Sequence, residues 1–206
     1  MSARDDILAA VRRAVAHQQP HPGRYVGPSS KRDVDTFAAA LSVAGGEIAG
    51  PVRADEVPAL VIRHLGSGRV VAEPSAARRL GAGPWSDPPE GGAPHAFEDV
   101  DTAIAEGSIG VAENGAVAVG VEEAPHRSLL FLAERVILLL DASRITGDLH
   151  QALHAVPESA RTAHHLTWIC GPSKTADIEQ TLVHGAHGPR SLLVVLYETP
   201  PAPKPA

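Results

Sequence analysis

The sequence predicts an α/β protein with an open, mostly parallel sheet flanked by helices, and with a helical arm at its N-terminus. Short apolar runs alternate with helical patterns along the chain, which is typical of a parallel sheet covered by helices. The segment Arg135–Asp141 (RVILLLD) holds five consecutive apolar residues, as expected of a strand that is buried on both faces. Asn114-Gly115 lies between two apolar runs and predicts a hairpin inserted into the alternation.

The arm comprises residues 1–32. A helix is predicted over residues 2–18, because Ser2 can cap it and because Asp5 and Asp6 lie in the first turn, where the helix dipole favours acids. An apolar stripe follows this helix at Leu8, Val11 and Val15. The residues up to 32 are rich in proline and predict a linker. We therefore expect the helix to dock on the body of the protein or on another subunit.

The body is predicted to extend over residues 33–198. Helical patterns cover residues 33–44, 55–65 (capped by Asp55), 74–80, 149–156 and 175–183. Strand patterns cover residues 47–50, 69–72, 135–141, 166–170 and 192–197, with the hairpin at 108–120. Residues 81–97 hold four glycines and four prolines and predict a surface loop or lid. The Pro-rich tail, residues 199–206, is expected to be disordered.

Composition excludes several classes of function. The 206 residues carry a net charge of −6, which argues against a nucleic-acid partner. No apolar run approaches the roughly 20 residues of a membrane helix, and the acidic N-terminus does not resemble a signal peptide, so we expect a cytoplasmic protein. Cys170 is the only cysteine, so this chain cannot by itself hold a Cys-rich iron–sulfur or zinc site. His150 and His154 are four residues apart but lack an accompanying glutamate, and we predict no metal site.

Residues 171–179 (GPSKTADIE) form the most informative motif. They follow a predicted strand and open a predicted helix, a place where α/β proteins bind ligands. The first-turn N–H groups together with Lys174 would favour an anion, whereas Asp177 in the same turn would oppose one. The alternative is an ordinary helix start with Thr175 as its cap.

Three further residues are candidates for chemistry. Glu113 lies at the predicted hairpin tip, where it could act as a nucleophile or base, or simply precede a surface turn. Arg127 follows the hairpin and could clamp a carboxylate or phosphate. Cys170 ends a strand beside the 171–179 motif, either as a small core residue or as a reactive thiol.

At these residues the sequence resembles the LUD (lactate utilisation) domain, the LutC/YkgG-like family. GPSKTADIE at residues 171–179 matches a family motif, and so do Gly185, His187, Gly188 and Pro189 after it. Ala112-Glu113-Asn114-Gly115 matches a family hairpin in which Asn114 replaces the usual threonine. The resemblance is strong over residues 108–198 and weak before them.

The resemblance implies a NagB/RpiA/CoA-transferase-like fold and a role in L-lactate utilisation. Related proteins look like companions of iron–sulfur subunits that together oxidise L-lactate to pyruvate, so clusters are expected on partner chains and no cofactor in this one. The Glu113-Asn114-Gly115 turn is similar to one in CoA transferases, where the glutamate carries the acyl group. The segments that match the family suggest a cleft for a small carboxylate or phosphate-bearing ligand, with Glu113 as the catalytic candidate. The predicted ligand-binding residues are Arg127, Gly171, Pro172, Ser173, Lys174, Thr175, Asp177 and His187.

Three functions remain open from the sequence. The first is an accessory or binding subunit of an iron–sulfur L-lactate-oxidising system. The second is an independent enzyme of the CoA-transferase or sugar-phosphate-isomerase type that uses Glu113. The third is a small-molecule binding module on the same fold, and a homo-oligomer is compatible with each.

Overall fold

A computed structural model describes residues 2–14, 23, 30–89, 93–120, 122, 124–156, 165–175, 183–185 and 187–199. The helices are α1 (Ala3–Ala14), α2 (Val34–Val43), α3 (Val57–Arg63), α4 (Pro74–Leu80), α5 (Leu129–Leu132) and α6 (Leu149–Ala155). The strands are β1 (Glu47–Arg53), β2 (Arg69–Ala72), β3 (Val100–Gly107), β4 (Ile109–Val111), β5 (Ala116–Gly120), β6 (Arg135–Asp141), β7 (Ile145–Thr146), β8 (Leu166–Ile169), β9 (Lys174–Thr175), β10 (Val183–His184) and β11 (Ser191–Glu198). Short 3-10 turns lie at Ala54–Glu56, Pro94–Phe97 and Ala142–Arg144. Within the described segments, no helix has the length and apolar character needed to cross a membrane.

The main sheet has five parallel strands in the order β1-β11-β6-β3-β2. Its central strand, β6, is buried on both faces because its side chains alternate between two cores. Val136, Leu138 and Leu140 face the core that contains α2 and α5. Ile137 and Leu139 face the core that contains α3 and α4. The continuous apolar run in the sequence therefore reflects burial on both sides, as predicted.

A second, four-stranded sheet in the order β7-β4-β5-β8 packs beside the first. Strands β4 and β5 form the predicted antiparallel hairpin around Asn114-Gly115. One face of this sheet contributes Val117 and Val119 to the core that holds α2 and α5. The other face packs against α6 through Ala152 and Val156. The protein is therefore a mixed α/β fold with a parallel sheet flanked by helices, as the sequence predicts.

Strand β3 is the main element that the sequence analysis misses. Its residues, VDTAIAEG, include alanine, glycine and acidic residues, which have weak strand propensity. The strand forms because it lies between β2 and β6, and the two neighbours together pair with it from Val100 to Gly107. Tertiary context thus overrides local propensity here.

The structure corrects two predictions around the GPSKTADIE motif. Strand β8 is only partly buried and is an antiparallel edge strand of the second sheet, so the motif does not follow a strand of the parallel sheet. The helix predicted over residues 175–183 is wrong at both ends, because Thr175 and Val183 pair as neighbours in the two-stranded β9–β10 ribbon. Residues 176–182, Asp177 included, lie outside the described part.

Other boundaries shift in smaller ways. Asp55 does not cap α3, because the side chain that bonds back to the Arg53 amide is that of Glu56, while Asp55 pairs with the Arg53 guanidinium. Within the predicted loop or lid, the Ser86 backbone bonds to strand β2 and the Phe97 side chain is buried, so these two described residues belong to the folded body. The last residues of the predicted arm helix, 15–18, and residues 200–206 of the tail lie outside the described segments.

Helix α1 contributes nothing to either core. Its first turn is capped as predicted, with the Asp5 amide donating to Ser2 Oγ at 3.3 Å. No residue of α1 is buried, and Ile7, Leu8 and Val11 are exposed. The apolar stripe of α1 is therefore exposed along the part of the helix that the structure describes.

Candidate functional site

Part of the GPSKTADIE motif lines a cavity of about 240 Å³ between α5, β8 and the segment that leads into β11. Gly171, Pro172 and Ser173 form one wall, and His187, Gly188 and Pro189 form another. The apolar walls are Leu130, Phe131, Val136, Trp168, Ile169 and Leu192. The cavity therefore has an apolar body and a polar rim, a combination common in small-molecule sites.

Backbone hydrogen bonds explain why the two halves of the family motif meet. The Ser173 amide donates to Pro189 O at 2.8 Å, and the Gly185 amide donates to Ser173 O at 2.9 Å. Gly188 lies so close to the Ser173 side chain that a Cβ at that position would be 3.2 Å from Ser173 Cβ. A larger residue at Gly188 would press on Ser173, so the glycine permits the close approach of the two segments.

The same loop docks on the C-terminal end of α2. Lys174 Nζ donates a hydrogen bond to Ala44 O, a favourable position for a cation at a helix C-terminus. Gly171 has φ +82°, and a Cβ there would overlap the Ala44 carbonyl. Lys174 thus secures the loop on α2 and does not line the cavity, so an anion bound in the cavity would meet Ser173 and His187 instead.

The Glu113 turn reaches the same end of α2 but directs its carboxylate elsewhere. Gly115 packs against the Leu41 backbone, and Cys170 Sγ lies 2.9 Å from Asn114 O, so the turn and the loop are in contact. The Glu113 carboxylate is exposed and accepts a hydrogen bond from the Leu149 amide, in the first turn of α6, at 3.2 Å. Glu113 is not among the residues that line the cavity.

Arg127 is not among the residues that line the cavity, and of Thr175 only the backbone is described. The Arg127 side chain is exposed in the turn before α5, and the Thr175 backbone belongs to β9. Of the predicted ligand-binding residues, the structure brings Gly171, Pro172, Ser173 and His187 together around one cavity.

Cys170 is exposed on the cavity rim, so the interpretation of this residue as a core hydrophobe is wrong. Partial desolvation raises the pKa of its thiol, while the positive charge of Lys174 opposes the rise. The thiol is therefore mostly protonated at neutral pH and less reactive than a low-pKa catalytic cysteine.

A second polar cluster, which the sequence analysis did not assemble, lies at the carboxyl end of β2. Glu73 follows β2, is fully buried, and accepts hydrogen bonds from the His126 amide at 3.1 Å and from His126 Nδ1 at 3.0 Å. The Phe97 ring packs against the imidazole in an edge-on arrangement, with centroids 6.2 Å apart. Burial raises the pKa of the Glu73 carboxyl, and its bonds to His126 oppose the rise. Glu73 and His126 are 53 positions apart, so no local sequence pattern predicts their contact. The one signal that the sequence offers is an acidic residue directly after a predicted strand.

A third cluster occupies the carboxyl edge of the central strands. The Arg79 guanidinium pairs with Glu106 and lies 4.3 Å from the centroid of the Tyr197 ring. Asp141, at the end of β6, accepts hydrogen bonds from the Ser143 amide and from Thr199 Oγ1. Within the part of the chain that the structure describes, no three His, Cys, Asp or Glu residues are grouped so that they could hold a metal ion.

These features define a class of protein. It has an α/β fold with a parallel sheet and a smaller second sheet, and residues 171–173 of the GPSKTADIE motif line a cavity beside the second sheet. The chain belongs to the LUD domain family, whose model matches residues 86–197. It is 26% identical to "Lactate utilization protein C" of Deinococcus radiodurans, across 94% of this chain and 95% of that protein. It is also 33% identical to a protein of the same name from Anoxybacillus flavithermus, over 46% of this chain and 42% of that one.

A solved structure shows the same fold. The crystal structure of a DUF162 family protein from Deinococcus radiodurans superposes with a TM-score of 0.63 and 21% identity, over 80% of this chain and 95% of that one. The predicted family and the predicted α/β architecture are therefore confirmed.

Proposed function

We propose that this chain is a cytoplasmic lactate-utilisation protein that serves as a binding or accessory subunit of an iron–sulfur system oxidising L-lactate to pyruvate. The observation that carries the proposal is the cavity, because the residues that match the family motif, at 171–173 and 187–189, line it together. Two relatives named for lactate utilisation, one of them aligned with nearly the whole chain, support the same role.

The redox centres are assigned to partner chains on chemical grounds. An iron–sulfur cluster is commonly held by about four cysteine thiolates, whereas this chain has Cys170 alone. The sequence also has no GxGxxG fingerprint for a dinucleotide. The role proposed for this chain is therefore to bind a ligand or the subunits that carry the redox centres.

The cavity is proposed to hold the apolar part of a small carboxylate or phosphate-bearing ligand. Ser173 Oγ and the His187 imidazole are the side-chain groups on its rim that can donate hydrogen bonds to an anionic oxygen. Gly171 and Pro172 also line the cavity. The hydrogen bond from Lys174 Nζ to Ala44 O holds this segment against α2.

Growth and co-purification test this function together. Deletion of the gene in the native cell is expected to abolish growth on L-lactate while leaving growth on glucose intact. A Ser173→Phe variant, which fills the cavity, is expected to fail in complementation, whereas Ser42→Phe on the exposed surface of α2 is expected to succeed.

The tagged wild-type chain is expected to co-purify with Cys-rich proteins that contain iron. Normal growth of the deletion strain on L-lactate would contradict the role, and capture of iron-free partners alone would contradict the iron–sulfur assignment.

A further inference from the structure

The buried pair Glu73–His126 leaves one nitrogen of the imidazole available to a ligand. Both Glu73 oxygens are engaged by His126, one by the backbone N–H and one by Nδ1. Nδ1 faces the carboxylate of Glu73, which favours the ring tautomer that carries its proton on Nδ1, and in that tautomer Nε2 is an acceptor. Nε2 makes no hydrogen bond with the described residues, and the side chain is 27% exposed.

The ring is held in a fixed orientation before any ligand arrives. The Glu73 carboxylate is completely buried and cannot follow the imidazole out to solvent. The Phe97 edge contact restrains the ring from another side. A side chain that is already ordered loses little entropy on binding, so a hydrogen bond to Nε2 contributes more of its energy to affinity.

The position of the pair is one that favours ligands. Glu73 directly follows β2, at the carboxyl edge of the parallel sheet, where open α/β sheets bind small molecules. Arg127 is next to His126, is exposed, and forms no ion pair with the described residues. A hydrogen-bond acceptor and an exposed guanidinium on adjacent residues suit a ligand that has both a hydroxyl and an anionic group.

We propose that Glu73, His126 and Arg127 form a binding site for a 2-hydroxycarboxylate, separate from the motif-lined cavity. The ligand hydroxyl donates a hydrogen bond to His126 Nε2, and the ligand carboxylate pairs with the Arg127 guanidinium. Glu73 is a positioning residue that acts through His126. The requirement for a hydroxyl and an anion follows from the side chains, whereas the choice of a 2-hydroxycarboxylate rests on the proposed function.

The test compares two ligands that differ only in the hydroxyl. Binding of L-lactate and of propionate to the purified full chain is measured by titration calorimetry or NMR. The wild type is expected to prefer L-lactate by about ten-fold, the size of one hydrogen bond to a fixed partner. His126→Asn retains an amide N–H in the place of Nδ1, so it can still pair with Glu73, but it has no counterpart of Nε2. This variant is expected to bind both ligands equally and as weakly as the wild type binds propionate.

Arg127→Gln is expected to weaken L-lactate and propionate by the same factor, because it removes the charge that both ligands share. The exposed residues His95 and Arg63 provide matched controls, and His95→Asn and Arg63→Gln are expected to bind like the wild type. Circular dichroism melting confirms that each variant is folded. Nitrogen-15 NMR of the His126 ring is expected to show the tautomer with the proton on Nδ1.

Several outcomes would overturn the site. These are equal affinity of the wild type for L-lactate and propionate, an unchanged preference in His126→Asn, a proton on Nε2 in the free protein, or tighter binding of glycerol 3-phosphate than of L-lactate. Failure here is distinct from failure of the proposed function. A chain needed for growth on L-lactate that shows no His126-dependent binding contradicts this site alone, and a chain that binds L-lactate but is dispensable for that growth contradicts the function alone.

Discussion

Gly115 shows how a single residue fixes the position of a whole turn. Its φ of +73° lies in the left-handed region, and a Cβ would overlap the backbone of Leu41 in α2. The Glu113 turn therefore lies directly on the end of α2, where the Gly171–Pro172 segment also packs. Local turn chemistry and long-range packing require glycine at the same place.

Replacing Gly115 with alanine is expected to cost more than the same change at Gly45. Both residues have positive φ, so each substitution carries a backbone penalty of about 1–2 kcal/mol. At Gly45 the new methyl group meets the flexible end of Lys174, whereas at Gly115 it meets helix backbone that cannot move aside. Urea unfolding is expected to show an additional loss of about 1–3 kcal/mol for Gly115→Ala. Equal losses for the two variants would show that the overlap at Gly115 is relieved without cost.

Glu113 offers a second test at the residue scale. Its carboxylate accepts one hydrogen bond from the Leu149 amide, so Glu113→Ala is expected to lower the free energy of unfolding by about 1 kcal/mol. Glu113→Gln keeps an acceptor oxygen and is expected to remain as stable as the wild type. Thermal melts of the two variants check this, and a Gln variant as unstable as the Ala variant would contradict it. The predicted nucleophile role is separable, because a nucleophile would lose acyl-CoA turnover in the Gln variant while its stability stayed intact.

At the scale of elements, helix α1 differs from the other helices of the described chain. Helices α2 to α6 each bury at least one side chain, whereas α1 buries none. Its exposed Ile7, Leu8 and Val11 lie on a helix that also carries charged residues at both ends. An amphipathic helix whose apolar side chains are exposed among the described residues is typical of a segment that docks on another chain.

Deleting residues 1–18 is expected to leave the body folded and to weaken association. The free energy of unfolding is expected to change by less than about 0.5 kcal/mol, because the described part of the deleted segment, Ala3–Ala14, buries no side chain. Sedimentation velocity is expected to show weaker self-association or weaker partner binding by the truncated chain. If circular dichroism shows the truncated chain to be unfolded, the helix belongs to the core and the arm interpretation is wrong.

At the scale of the whole molecule, the carboxyl edge of the main sheet is held together by charges from separate parts of the chain. Arg79 of α4 contacts Glu106 of β3 and the ring of Tyr197 of β11. Burial is the largest cause that raises the pKa of Tyr197 to about 12, and Arg79 opposes the rise. These contacts join α4, β3 and β11 at the edge where open α/β sheets place their ligands.

The stability of the protein is expected to fall between pH 10 and about 12 because of Tyr197. An unfolded tyrosine loses its proton near pH 10, whereas the folded one keeps it, so rising pH favours the unfolded state across this interval. The Tyr197→Phe variant retains the ring beneath Arg79 but cannot titrate. The free energy of unfolding of the wild type is expected to decline relative to this variant by about 1.4 kcal/mol per pH unit in that interval. Parallel pH profiles from denaturant titrations of the two proteins would contradict the raised pKa.

Much of the architecture is predictable from local patterns. The bounds of β2, α4 and β6 agree with the sequence prediction, because each has a clear apolar pattern and, for α4, a proline in its first turn. The β4–β5 hairpin is predictable since the Asn-Gly pair favours a tight turn whatever surrounds it. The motif at residues 171–179 predicts the family from sequence alone.

Other features depend on contacts between residues far apart in the chain. Strand β3 exists because two neighbouring strands pair with its weak sequence, and the Lys174–Thr175 pair becomes strand β9 because β10 pairs with it. The Glu73–His126 pair joins a strand end to a loop 53 residues away.

Composition, periodicity and turn chemistry act over a few residues, so the sequence by itself determines the α/β class, the hairpin and most helix and strand positions. Burial and hydrogen bonding between distant segments depend on how those elements pack. Only the tertiary structure therefore decided that Ser173 and His187 share a cavity while the Glu113 carboxylate bonds to α6 instead.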